Sequence, residues 1–91
     1  MRLDKFLKVS RIIKRRSVAK EIADKGRVSV NGKVAKSSTP VETGDELTLA
    51  FGNKTLVVRI EELLDTTKKD EAKELYSVVS ETFEEKREDW N

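Results

Sequence analysis

The chain has 91 residues, of which 40% are charged and 36% are hydrophobic, and it contains no cysteine. This length suits one domain with a modest core, and the lack of cysteine excludes disulfides and thiolate metal sites. No apolar run approaches the roughly 20 residues of a membrane-spanning helix, and the N-terminus lacks the apolar core of a signal peptide. We therefore expect a cytoplasmic protein that binds no membrane, metal or cofactor.

The net charge of +2 conceals an uneven distribution. Residues 1–36 contain twelve Lys or Arg and three Asp or Glu, a net charge of +9. Residues 37–91 contain seven Lys or Arg and fourteen Asp or Glu, a net charge of −7. Such a split predicts that the first part faces a nucleic acid and that the second part faces solvent or a protein.

Two short helices are predicted in the basic part. The first runs from about Leu3 to Val9 or Ser10, with inward apolar residues at helical spacing and cations recurring every three residues near one face. The second begins with Ser17 as its N-cap and ends at Gly26, which adopts the left-handed conformation without steric cost. The carboxylate of Asp4, alone in this basic field, is interpreted as structural, either orienting an arginine or capping the first helix.

Strands and a last helix are predicted for the rest of the chain. Asn31-Gly32 indicates a type I′ hairpin turn between the strands 27–30 and 33–36, and Gly44-Asp45 indicates another turn. Two further strands alternate apolar and polar residues at 47–51 and 56–60. An apolar stripe at helical spacing then predicts a helix from Lys68 to about Arg87. The stripe comprises Ala72, Leu75, Tyr76, Val79 and Phe83. We expect two units, residues 1–63 and a helical extension over 64–91.

Four sequence motifs resemble the S-four-type RNA-binding domain, and together they cover about residues 1–50. They are RLDKFL at Arg2–Leu7, RRSVAK at Arg15–Lys20, GRVSVNG at Gly26–Gly32 and GD at Gly44–Asp45. The resemblance implies an α+β fold in which two N-terminal helices pack on a small, mainly antiparallel sheet. It also implies that the helices and the following hairpin form the RNA-binding face.

The whole chain is similar to short, stand-alone members of that family, the RqcP branch and the ribosome-associated heat-shock branch. The segments that carry this similarity are RLDKFLKVSRIIKRR, FGNKTLVV at Phe51–Val58 and DTTKK at Asp65–Lys69. An RqcP-like protein is implied to bind ribosomal RNA and peptidyl-tRNA on stalled large ribosomal subunits, and we expect this chain to be a monomer. It would support alanine-tail elongation beside an RqcH-type factor. The alternative is a heat-shock-type recycling factor for large subunits that carry nascent chains.

Arg15 and Arg16 are the strongest candidate site residues, because arginine binds phosphate with two hydrogen bonds and stacks on bases. Lysines of the acidic part, such as Lys73 and Lys86, are expected to matter far less. The complete set of predicted RNA-binding residues is Arg2, Lys5, Lys8, Arg11, Lys14, Arg15, Arg16, Ser17, Lys20, Asn31, Gly32, Lys33 and Lys36.

Two other functional classes fit the sequence less well. An RNA-modifying enzyme is disfavoured because the chain offers no His or Cys for general-base or nucleophilic chemistry and no length for a catalytic domain. A helix-turn-helix DNA-binding protein is disfavoured because the second predicted helix has few Asn or Gln residues to read bases. A hairpin directly after that helix is also unusual for such a protein. We therefore expect no catalytic residues.

Overall fold

A computed structural model of the chain describes residues 1–64 and 71–83. Two helices, one 3-10 helix and one antiparallel sheet in the order β2-β1-β3-β4-β5 make up this part. The elements are α1 (Leu3–Val9), α2 (Arg16–Asp24), β1 (Val28–Val30), β2 (Lys33–Val34), β3 (Glu46–Phe51), β4 (Lys54–Ile60), the 3-10 helix (Ala72–Leu75) and β5 (Tyr76–Phe83). The expected α+β class is confirmed. In this part of the chain, no helix is long and apolar enough to cross a membrane.

The core forms where the two helices cover one face of the sheet. Period-two alternation places Leu47 and Leu49 of β3 opposite Val58 and Leu56 of β4, and all four are buried. Phe6 of α1 is fully buried in the same cluster. Because full burial of one such side chain contributes about 1.5–3 kcal/mol, these contacts hold the helices to the sheet.

The hairpin between β1 and β2 has the turn that its sequence predicts. Both central residues, Asn31 and Gly32, have positive φ angles of 52° and 86°. This is the requirement of a type I′ turn, whose twist matches that of the flanking strands. The turn pairs Val30 with Lys33 and therefore places residues 31–33 at the end of the hairpin.

Helix α2 ends as predicted but begins differently. After its last residues, Gly26 has φ +81°, and the N–H groups of Gly26 and Arg27 bond back to the carbonyls of Ala23 and Ile22, as in a Schellman motif. The prediction that Ser17 is the N-cap was wrong. The N-cap position belongs to Arg15, whose carbonyl accepts the Ala19 N–H, so Ser17 lies inside the first turn and is exposed.

The predicted C-terminal helix was wrong for Tyr76–Phe83, which form β5 along the free edge of β4. These residues are rich in aromatic and β-branched types, which favour a strand, and pairing satisfies the backbone groups of β4. A bulge where Val57 and Val58 meet β5 places Val79 outside the regular register. Ahead of this strand, Ala72–Leu75 form a short 3-10 helix in place of the predicted α-helix. The parts of the predicted helix before residue 71 and after residue 83 lie outside the described residues.

Candidate nucleic-acid interface

Two arginines from different helices share one buried carboxylate. Arg2 Nε and Nη2 donate to Asp4 Oδ1 and Oδ2 at 3.2 and 3.4 Å, and Arg16 Nη2 donates to Asp4 Oδ1 at 3.4 Å. The Asp4 side chain is 3% exposed, whereas those of Arg2 and Arg16 are 49% and 48% exposed. We call these three residues the Asp4 cluster. Because half of each arginine faces solvent, both guanidinium groups retain donors for an anion.

The local fold explains this arrangement. Arg2 is the N-cap residue of α1, Asp4 lies in its first turn, and Arg16 is the first residue of α2. The isolated bridge from Arg2 to Pro40 fixes the chain that leads into α1. The first backbone hydrogen bond of α2 runs from the Ala19 N–H to the Arg15 carbonyl. The N–H groups of residues 16–18 therefore have no acceptor within the helix, and they form its positive end beside Arg16. The predicted role of Asp4 in orienting an arginine is confirmed.

Along α2, Lys20 belongs to a second polar contact. Its Nζ lies 3.1 Å from Asp24 Oδ2, and the other Asp24 oxygen accepts the Ser37 N–H at 2.9 Å. The Ser37 amide, then Lys20 and the Ser37 hydroxyl, lower the pKa of Asp24 from 3.8 to about 2. This carboxylate therefore ties α2 to the loop after β2 and orients Lys20. Arg15 and Ser17 are exposed at the start of the same helix.

The cations in the last turn of α1 and just after it lie beside a different part of the chain. Lys8, Arg11 and Lys14 line a cavity whose other wall includes Lys73 and Tyr76. Arg11 has φ +61°, a left-handed conformation that costs a residue with a Cβ atom roughly 1–2 kcal/mol. This conformation ends α1, since the Arg11 N–H bonds to the Lys8 carbonyl. Lys73, which was expected to matter far less for binding, is therefore adjacent to the basic part.

The hairpin residues form a separate group. The Asn31 side chain donates to Asp45 Oδ1 at 3.1 Å and accepts the Glu46 N–H at 3.0 Å. Both ends of its side-chain amide are therefore hydrogen bonded at the start of β3. Gly32 and Lys33 are exposed at the end of the hairpin. Lys36 is exposed in the following loop, and Lys5 on α1 is partly buried. An RNA contact at each of these positions stays a prediction.

Lys73 and Tyr76 line the cavity beside Lys8, Arg11 and Lys14, and the sequence did not predict that they lie next to the basic part. Only the pairing of β5 with β4 brings them there, and more than 50 residues separate them from Lys14. The helical spacing of Tyr76 indicated burial but not position. Among the described residues, no three His, Cys, Asp or Glu side chains are grouped to hold a metal ion. The chemistry available to this surface is the binding of a polyanion.

Comparisons with known proteins agree with this geometry. The S4 domain family matches residues 1–47. The chain is 60% identical over 81 residues to the RQC P-site tRNA stabilizing factor of Bacillus subtilis, covering 89% of this chain and 94% of that protein. It is 60% identical over 82 residues to the Streptococcus pneumoniae protein of the same name, covering 90% and 93%. The trimeric structure of Vibrio cholerae Heat Shock Protein 15 superposes with a TM-score of 0.81 at 37% identity, covering 88% of this chain and 82% of that chain.

Proposed function

Because this chain belongs to the S4 domain family and, within it, to the RQC P-site tRNA stabilizing factors, we propose that it binds RNA on the large ribosomal subunit during ribosome-associated quality control. Its ligands in this proposal are ribosomal RNA and the tRNA of the P site. The chain acts by binding, without catalysis. The predicted S-four-type unit of residues 1–63 carries the RNA surface, and residues 64–91 extend it.

The observation that carries this proposal is the Asp4 cluster. A buried carboxylate holds the guanidinium groups of Arg2 and Arg16 side by side while leaving half of each side chain in solvent. Arg15 and the α2 amides add positive potential at the same place. Preoriented arginines suit the backbone of a folded RNA because less side-chain entropy is lost when they bind phosphate.

The finer steps of the proposal concern the partners. We place the chain on stalled large subunits that carry peptidyl-tRNA, where it supports alanine-tail elongation together with an RqcH-type factor. We also propose that it acts as a monomer, because the concentrated positive charge of residues 1–36 opposes association through that surface. Light scattering on the purified chain tests this last point, and a trimer like the Vibrio cholerae protein would contradict it.

The second candidate is a heat-shock-type recycling factor for large subunits with nascent chains. The fold similarity to Heat Shock Protein 15 favours it, but the identity is 37% there against 60% for the RQC P-site tRNA stabilizing factors. A quality-control factor should enrich subunits whose P site holds peptidyl-tRNA and should increase alanine addition. A recycling factor should bind without that effect.

Co-sedimentation with purified ribosomal subunits, followed by crosslink mapping, tests the proposal. The chain should pellet with large subunits, and its crosslinks should fall on large-subunit RNA and P-site tRNA. Competition with duplex DNA at matched salt provides the control for a DNA-binding function. Equal pelleting with small subunits, or equal competition by duplex DNA, would contradict the proposal.

A further inference from the structure

A groove runs between the end of α1 and the segment that leads into β5. One wall carries Lys8, Arg11 and Lys14, and the facing wall carries Lys73 and Tyr76. We call this cavity the Tyr76 groove. It lies between the part of the chain that matches the S4 domain and a part beyond that match, so it is a feature of the whole chain.

The wall that carries Lys73 is held in place by its neighbours. Ala72 is 2% exposed and Leu75 is fully buried, so the 3-10 helix is anchored on both sides of Lys73. The Leu75 carbonyl also accepts the N–H groups of Glu61 and Glu62 at 2.8 and 3.2 Å. The backbone at Lys73 is therefore held in place, while its side chain is exposed to solvent opposite Lys8 and Lys14.

A second cavity, with both apolar and charged lining residues, adjoins the Tyr76 groove, and Tyr76 and Arg11 line both. The pairing of Tyr76 with Ile60 and of Val78 with Val58 puts both β5 side chains on the core face of the sheet. Tyr76 is partly buried, so one part of the ring contacts the core and another faces the cavities. The apolar lining of the adjoining cavity is Ile12, Phe51, Leu56 and Val78.

The charged residues that line the two cavities indicate which kind of ligand the Tyr76 groove can bind. The described residues that line the Tyr76 groove include four cations and no carboxylate. In the adjoining cavity, Glu81 is paired with Lys54 at 3.0 Å, so its charge is compensated. A cleft of one charge sign concentrates counter-ions, and an aromatic ring beside it can stack on a base. A ligand that places a phosphate between the cations and a base on the aromatic ring is a nucleotide.

We propose that the Tyr76 groove binds an unpaired nucleotide of an RNA strand, with the base on Tyr76 and the adjacent phosphates between Lys73 and the facing lysines, Lys8 and Lys14. This inference rests on the proposed RNA-binding function and adds to it a preference for an unstacked base. Duplex RNA cannot offer such a base, whereas loops and strand ends can. The Asp4 cluster, by contrast, requires only phosphates.

The ring of Tyr76 gives a direct test because it is the only tyrosine of the chain. Its NMR signals are followed while a short single-stranded RNA is added to the full chain, and then a duplex of equal length. The single strand should shift the ring signals upfield by stacking, and the duplex should leave them in place. The affinity of each RNA is measured in the same buffer.

Variants separate the groove from the rest of the surface. Tyr76→Leu keeps an apolar side chain in the core and should weaken single-strand binding roughly five- to a hundredfold, the range for one lost stacking contact. Lys73→Ala should weaken it as well, and neither variant should alter duplex binding. Lys25→Ala is the matched control, since Lys25 is equally cationic and pairs with Glu21 away from the groove. Circular dichroism verifies that each variant is folded.

The outcomes distinguish this inference from the proposed function. If RNA binds and Arg16→Ala weakens it while the Tyr76 signals stay fixed, the nucleotide site is overturned and the proposed function stands. If neither RNA binds, the nucleotide site is overturned, and the proposed function is overturned as well only if the chain also fails to pellet with large subunits. If an acidic, apolar peptide shifts the Tyr76 signals and single-stranded RNA does not, the groove is a peptide site and the inference is wrong. Stacking shifts with selective losses in Tyr76→Leu and Lys73→Ala support it.

Discussion

Arg2 and Arg16 are fourteen positions apart in the chain, yet both guanidinium groups reach Oδ1 of Asp4, at 3.2 and 3.4 Å. The Asp4 side chain is buried, whereas half of each arginine side chain is exposed to solvent. The consequence is geometric, because one buried carboxylate fixes the spacing of two cations that remain open to solvent. We regard this arrangement as the basis of RNA binding by this chain.

Asp4→Asn separates orientation from net charge. The substitution makes the chain more positive, so electrostatic attraction alone would strengthen RNA binding. If orientation dominates, binding should weaken, and the buried amide should cost about 1–3 kcal/mol of unfolding free energy. Glu21→Gln is the control, because it makes the same charge change at an exposed site on α2. Tighter binding by Asp4→Asn than by Glu21→Gln would contradict the orienting role.

Salt dependence should report the number of phosphates held. Each contact contributes a slope of about −0.7 to −0.9 in the logarithm of affinity against the logarithm of salt concentration. Arg16→Ala should therefore make the slope shallower by about that amount, whereas Arg59→Ala on β4 should not. Titrations of large subunits at several monovalent salt concentrations and constant Mg²⁺ measure this. Identical slopes for the parent and Arg16→Ala would rule out a phosphate contact there.

Asp24 should make stability depend on pH in the acid range. Its pKa is lowered to about 2 in the folded chain, mainly by the Ser37 N–H and Lys20. A carboxyl group with a depressed folded pKa stabilises the fold above its ordinary pKa of 3.8, and this contribution disappears as the pH falls toward 2. Urea unfolding over this range should show a weaker pH dependence in Asp24→Asn than in Glu21→Gln. Parallel profiles for the two variants would refute the assignment.

The turn at Gly32 has space for a larger side chain, but its positive φ angle disfavours a β-branched residue. A Cβ atom there would meet nothing within 4 Å, so the cost of Gly32→Val arises from its φ of +86° alone. We expect a loss of roughly 1–2 kcal/mol. This should lower the melting temperature by several degrees, about 4–8 °C per kcal/mol in a small domain. Gly32→Asn, which accepts positive φ more readily, should lose less, and equal losses would contradict this reasoning.

Features set by neighbouring residues were predictable from the sequence. The bounds of α1, the Asn31-Gly32 turn and the stop at Gly26 follow from helical spacing and from residues that accept positive φ. A structural role for Asp4, either orienting an arginine or capping α1, was predicted because it is a lone carboxylate among cations, and the structure shows the first of these two roles. The pairing with both Arg2 and Arg16 depends on how α1 and α2 pack, which local patterns do not encode.

The segment 76–83 shows where local patterns fail. Its apolar residues fit helical spacing, from which only a helix was predicted, although its β-branched content also suits a strand. The unpaired edge of β4 favours the strand, and that edge exists only in the folded sheet. The same pairing brings Lys73 and Tyr76 beside Lys8 and Lys14, so the groove could not be predicted before the strand was known.

The most direct test of RNA binding through the Asp4 cluster is pelleting of Arg16→Ala with purified large subunits. Arg59→Ala, an exposed arginine on β4, is the matched control, and circular dichroism of both variants verifies folding. Loss of one charged contact should weaken association roughly ten- to a hundredfold for Arg16→Ala, with little change for Arg59→Ala. Equal pelleting of the two variants, with both folded, would contradict the account.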